Sequence, residues 1–133
     1  MEVRTWMSRD VETIHPTDLL AAAEEKMRRR GCRHLAVVDD KGAFQGVLSD
    51  HDMREHHGYF DTTKVSGAMV ENALTVTPDV PIEAAGKLLL EHRIGCLPVL
   101  DPQGQLVGMI TTTDLLRGLL QLAPGAGKQT GGG

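Results

Sequence analysis

The sequence predicts an α+β fold in which two tandem β-α-β-β-α units, residues 1–61 and 62–122, pack about a pseudo-twofold axis. Three observations carry that expectation. The stretch Gly108 to Asp114, GMITTTD, has a forerunner in Gly46 to Asp52, GVLSDHD; each has a glycine, two apolar residues, a hydroxyl, two further residues and an aspartate. The same 62-residue offset aligns the flanks without a gap and gives twelve identities between residues 3 and 57, from Val3/Val65 through Pro16/Pro78 and Leu35/Leu97 to Asp52/Asp114, so the chain is a duplicated unit. A unit of roughly 60 residues buries too little surface to stand firmly alone, and packing two together solves that problem and leaves clefts between them.

Within each unit the elements follow in order. Glu2 to Met7 and Lys64 to Met69 each carry a valine and a methionine four apart, the spacing of a helical turn packed on a core. Val11 to Ile14 and Ala73 to Val76 are brief strands stopped by Pro16 and Pro78. Thr17 and Asp79 stand where helix N-caps belong, with Pro81 in a first turn. Leu19, Leu20, Ala23 and Met27 line one helix face, and Ile82, Ala85 and Leu89 the matching one. Lys26 and Arg28 to Arg30 suit the negative end of the first helix, where they form a solvated basic end closed by Gly31; His92, Arg93 and Gly95 repeat the pattern. Apolar strands follow at Leu35 to Val38 and Leu97 to Leu100. Tight turns at Asp39 to Gly42 and Asp101 to Gly104 use a positive-φ glycine, as bulged hairpins require. The returning strands, Phe44 to Leu48 and Leu106 to Ile110, deliver the chain to the aspartate motif and a closing helix. Residues 123–133, rich in glycine, read as a flexible tail.

Composition narrows the function. With 133 residues the chain suits one compact domain, and its net charge of −4 (14 basic, 18 acidic) argues against a general nucleic-acid binder, whose affinity rests on neutralising phosphates. No apolar run approaches the roughly 20 residues that span a bilayer, and Met1 opens a charged segment rather than a signal peptide. The expectation is a cytoplasmic protein with neither membrane nor nucleic acid as partner. Cys32 and Cys96 do not correspond under the offset and form no CxxC motif, so both read as buried thiols. Trp6 reads as packed against a unit or a second copy. His51, Asp52, Glu55, His56 and His57 are the densest set of metal-ligand types, with His51 and Glu55 four apart on the closing helix. His56 and His57 point to different faces just before Gly58, and no metal site is expected. Nothing pairs a nucleophile with a base, so no enzymatic activity is expected.

The recurring heptapeptide is where chemistry concentrates. A buried strand running into a helix start offers free backbone N–H groups to anions, hydroxyls to phosphate oxygens, and a carboxylate to the hydroxyls of a sugar. A nucleoside phosphate needs all three. The plain alternative is that Asp52 and Asp114 cap helices.

At these residues the chain resembles the cystathionine-β-synthase (CBS) domain family, and from Val3 to about Leu120 it is similar to one tandem CBS pair, or Bateman module. TVTP at Thr75 to Pro78, IGCLPVLD at Ile94 to Asp101 and GMITTTD carry the resemblance, in the family's order and spacing. It implies a regulatory module that binds an adenosyl ligand (AMP, ADP, ATP or S-adenosylmethionine) in two clefts, needs no further cofactor, forms a homodimer and signals to an unidentified partner protein. It further implies one cleft built from Thr111, Thr113 and Asp114 with Thr13 and the segment Cys32 to Ala36, and another from Ser49, His51 and Asp52 with Thr75 and the segment Gly95 to Pro98, which includes Cys96. Aspartate would hold the ribose, Ser or Thr the phosphate, and strand backbone the adenine edge. Two departures stand out: the family usually has Pro where Ala36 stands and a hydroxyl where His51 stands. The Asp114 cleft keeps the full hydroxyl pattern, and Arg33 and His34 lie at its expected edge, where a guanidinium can fork onto phosphate. It is therefore the favoured nucleotide site. The runner-up reading is a structural or dimerisation module with vestigial clefts.

Overall fold

The computed structural model describes residues 1–122; the glycine-rich stretch 123–133 lies outside the described residues. The first repeat contains α1 (Val3–Trp6), β1 (Thr13–Ile14), α2 (Leu20–Arg30), β2 (His34–Val38), β3 (Phe44–Ser49) and α3 (Asp50–Met53). The second contains α4 (Ile82–His92), β4 (Cys96–Leu100), β5 (Leu106–Thr111) and α5 (Thr112–Leu122). β1 runs parallel to β2, which pairs antiparallel with β3; β4 and β5 form the matching hairpin. Both hairpins bulge before their turns, where Gly42 and Gly104 take φ of 81° and 83°. Asp39 and Asp101 each accept two turn N–H bonds, which holds the Asp39 carboxyl below its usual range.

The repeats exchange their lead-in segments. Val3 N donates to Val80 O and Arg4 N to Pro78 O, while Val65 N donates to Asp18 O and Ser66 N to Pro16 O, the same two bonds shifted by 62 residues. Val3 and Met7 are buried with Ile82, Leu97 and Ile110 of the second repeat, and Val65 with Ile14, Leu20 and Leu48 of the first. A third cluster, Ala36, Val47, Cys96 and Met109, seals the face where the repeats meet. Residues 1–61 and 62–122 are thus repeats of sequence, and each completes its core with a segment of the other.

That exchange explains the helix starts. Thr17 and Asp79 cap nothing. α2 begins after Leu19 and its first N–H groups are taken by backbone: Leu20 N by Thr63 O at 2.9 Å and Ala21 N by Phe60 O at 3.0 Å. α4 begins after Pro81, and Ile82 N donates to Met1 O at 2.8 Å. Thr63 and Met1 lie in the opposite repeat and Phe60 in the same one, and their carbonyls satisfy donors that sequence assigns to side chains.

Three further differences have local causes. The expected strand Ala73 to Val76 shrinks to a single parallel bridge, Val76 to Val99. In the first repeat Ala36 N donates to Glu12 O; the corresponding residue is Pro98, which has no N–H, so that rung cannot form. The closing helix of the first repeat stops at Met53 and continues only as a 3₁₀ turn, Arg54–His56, because Gly58 at φ 90° turns the chain back toward α2. His51 and Glu55 therefore do not share an α-helical face. At the end of α4 the left-handed C-cap is Arg93 (φ 54°), the counterpart of Gly31 (φ 62°), and not Gly95. A side chain there costs about 1 kcal/mol, so Arg93→Gly should raise the unfolding free energy by about that amount in urea titration.

Candidate functional site: two clefts between the repeats

Two clefts of about 520 and 410 Å³ lie between the repeats. Their walls correspond under the same offset: residues 10–12, 30–34 and 111–114 line cleft 1, and residues 72–74, 92–96 and 49–52 line cleft 2.

Asp114 anchors cleft 1 and is only 8% exposed. Its Oδ2 accepts from Thr111 N at 2.9 Å and from Thr111 Oγ1 at 3.0 Å, while Thr111 Oγ1 accepts from Asp114 N at 3.1 Å. Ser49 and Asp52 make the same reciprocal pair in cleft 2, Oδ2 accepting from Ser49 N at 2.9 Å and Ser49 Oγ from Asp52 N at 3.1 Å. Each aspartate closes a capping box as its N3 residue. Capping uses one oxygen. In Asp114 the other, Oδ1, lies 3.3 Å from Ser8 Oγ and 3.9 Å from Arg117. Those long contacts are exchangeable for a ligand's hydroxyls.

The electrostatics of the clefts differ. Arg30, Arg33 and Arg117 line cleft 1, and their counterparts are His92, Gly95 and Glu55. Arg28 to Arg30 are exposed as a solvated helix end, and Arg30, held by Asp10 at 2.8 Å and Glu12 at 2.9 Å, also lines the cleft. Arg33 makes no ion pair among the described residues. In cleft 2 the guanidinium is Arg93, facing Asp50 and Asp52. Cleft 1 is the better anion site.

Of the residues expected in cleft 1, Thr111, Thr113, Asp114, Arg33 and His34 line it; Thr13 and Ala36 do not. They pair with each other in the β1–β2 ladder, Ala36 is fully buried, and the Thr13 carbonyl accepts from Lys26 Nζ. Of those expected in cleft 2, Ser49, His51, Asp52 and Cys96 line it; Thr75 and Pro98 do not. Pro98 is buried within β4, opposite Met109, and Thr75 is exposed beside the Val76 bridge. The chain just before these threonines takes their place, as Asp10 to Glu12 and as Asn72 to Leu74. Ser8, Arg30 and Arg117 are additions to cleft 1. Arg117, three residues after Asp114 on a helix, was findable by spacing; Ser8 arrives on the exchanged segment and left no local signal.

Burial pushes the Cys96 thiol up to about 12, with Asp52 adding to the effect, so it is an inert part of the cleft wall. Cys32 is half-buried rather than buried, and both thiols are free. Among the described residues no three His, Cys, Asp or Glu side chains converge as metal ligands, and no helix is long and apolar enough to cross a membrane. Trp6 packs on the core of the second repeat, against Gly118 of α5.

Burial also lowers the His34 imidazole from its ordinary 6.5, with Arg33 acting the same way and Asp50 and Asp52 opposing. A base with a depressed folded pKa leaves stability intact above its unfolded value and diminishes it as pH falls below that value. His34→Gln should therefore lose less stability than wild type between about pH 7.5 and about pH 5, read from urea midpoints.

Two interlocked repeats with paired clefts at their junction define a tandem-repeat module. The family model for the CBS domain matches residues 3–58 and again 65–121, and the chain belongs to that family. A CBS domain-containing protein of Dictyostelium discoideum is 31% identical, over 90% of this chain and 92% of its own length. Homoserine O-acetyltransferase of Methanococcoides burtonii is 32% identical over 84% of this chain, yet the match covers only 22% of that enzyme. Among solved structures, CBSX2 of Arabidopsis thaliana in complex with AMP superposes with a TM-score of 0.80 at 27% identity, over 91% of this chain and 97% of that one.

Proposed function

We propose that the chain is a regulatory module that binds an adenosyl ligand between its repeats and signals its occupancy to a partner protein. The observation that carries this reading is the Asp114 carboxylate: one oxygen is fixed by the capping box, and the other borders a cleft that also holds Arg33. Asp114 takes the ribose hydroxyls, Thr111 and Thr113 with the α5 N–H groups take the phosphate, and Arg33 forks onto it. AMP, ADP and ATP suit cleft 1, whose three guanidinium positions have no guanidinium in the counterpart cleft, where the only lining arginine among the described residues is Arg93. Cleft 2, with Arg93, Ser49 and Asp52 in its wall, takes AMP more weakly and also suits S-adenosylmethionine, which carries no phosphate. A related chain of the same size has been solved with AMP, which supports the ligand class. We propose no catalytic activity, since the acetyltransferase match is confined to about a fifth of that enzyme. Isothermal titration with AMP tests the reading: submillimolar binding is expected, and no heat up to several millimolar would remove it.

A structural role can coexist. Leu116, Leu119 and Leu120 on α5 are each more than half exposed, at helical spacing on one face. The counterpart of α5 is the four-residue α3, so this face has no equivalent in the first repeat. We propose that it pairs with a second copy in a homodimer. Leu116→Glu with Leu120→Glu should convert the protein from dimer to monomer in sedimentation equilibrium while leaving the AMP-binding stoichiometry per chain unchanged.

A further inference from the structure

We propose that His34 is a positioning residue shared by both clefts, so that a ligand filling one weakens binding in the other. The inference rests on the adenosyl-binding reading and adds to it a coupling between the two sites.

His34 opens β2 where the clefts meet, and it lines both, as does Gly95. Its ring lies against Gly95 so closely that a Cβ on residue 95 would stand 2.9 Å from both Cε1 and Nε2. The imidazole occupies the space a side chain at 95 would need, and the glycine is what admits it.

Each side of this contact leads directly to one ligand motif. The His34 backbone pairs with Ser49, the N-cap of α3, whose capping box holds Asp52. The Gly95 carbonyl accepts from Thr112 N at 3.1 Å, in the first turn of the helix that carries Asp114. The partition between the clefts is thus one half-buried ring backed by one glycine, tied on one side to Asp52 and on the other to Asp114. A ligand in cleft 1 that pushes the ring away can push it only toward cleft 2, and the reverse holds equally, since coupling between binding sites is reciprocal. The ring is the discrete element whose position both sites bias.

The experiment uses AMP as probe. Single-cleft affinities come from calorimetry of Asp52→Ala, which leaves cleft 1, and Asp114→Ala, which leaves cleft 2. In wild type the second AMP should bind at least about fivefold more weakly than the weaker single-cleft variant does, the lower end of ordinary coupling. In His34→Ala that gap should fall below about twofold, and His34→Gln, which keeps the bulk, should retain it. The His34 Hε1 resonance should shift with AMP in both single-cleft variants. A gap that persists in His34→Ala, or an Hε1 shift confined to one variant, overturns the shared wall. AMP filling only one cleft even in His34→Ala overturns it as well. No AMP binding by any variant or by wild type instead removes the adenosyl-binding reading itself.

Discussion

Asp114→Ala should lower the affinity of cleft 1 for AMP by about 100-fold or more, because each hydrogen bond to a charged group contributes about 1.5–3 kcal/mol and the ribose offers two. The same change removes the acceptor for Thr111 N and Oγ1 and should destabilise the fold by about 1 kcal/mol, the ordinary value of a capping residue. The two effects separate the competing views of this aspartate. A residue that only caps α5 would, on removal, cost stability and leave AMP affinity within a few-fold. Asp52→Ala provides the internal control, because it breaks the matching capping box and leaves cleft 1 intact. Calorimetry and urea titration on the two variants should give similar stability losses and opposite patterns of surviving cleft.

Gly46→Ala should be among the most destabilising single-methyl additions in the chain, at about 3 kcal/mol, the upper part of the range for overpacking. A Cβ at Gly46 would lie 2.3 Å from the Val70 carbonyl oxygen, which is backbone and cannot step aside. That carbonyl accepts from Val47 N at 3.1 Å, and Val70 N donates to Val47 O at 2.9 Å, so the methyl would break the bridge joining the lead-in segment to β3. Gly108→Ala is the paired comparison. Its Cβ would meet Met7 Sδ at 2.6 Å and the Ser8 carbonyl at 3.0 Å, and the flexible thioether can yield, so a loss of about 1–2 kcal/mol is expected. Midpoints in urea that rank Gly46→Ala below Gly108→Ala and both below wild type would bear this out. Equal, negligible effects would mean the crossing segments are not held where the fold places them.

These two glycines show what was legible in the sequence. The recurring motif announced the duplication, and the paired hairpins with their bulges followed from Asp39, Gly42, Asp101 and Gly104 alone, since turn chemistry is local. The motif's leading glycine was visible, but its reason was not: it makes room for a segment that belongs to the other repeat. The same exchange supplies the backbone carbonyls that replace Thr17 and Asp79 as caps, and it brings Ser8 to Asp114. Long-range crossings leave no periodicity to read. The clefts were legible at their hydroxyl and carboxylate ends, where Thr111, Asp114, Ser49 and Asp52 obey helix-start rules. They were misplaced by one to three residues at the Thr13 and Thr75 edges, equally in both repeats although only residue 36 has an N–H to offer, because the wall there is the chain between the exchanged segment and the strand, which carries no local motif.

The central claim is that the junction of the two repeats holds an adenosyl ligand. A crystal structure of the protein grown with millimolar AMP tests it most directly. The account predicts a nucleotide in cleft 1 with its ribose hydroxyls on Asp114 Oδ1 and its phosphate within reach of Thr113 and Arg33. A cleft without nucleotide at that concentration, or AMP bound away from both aspartates, would contradict it.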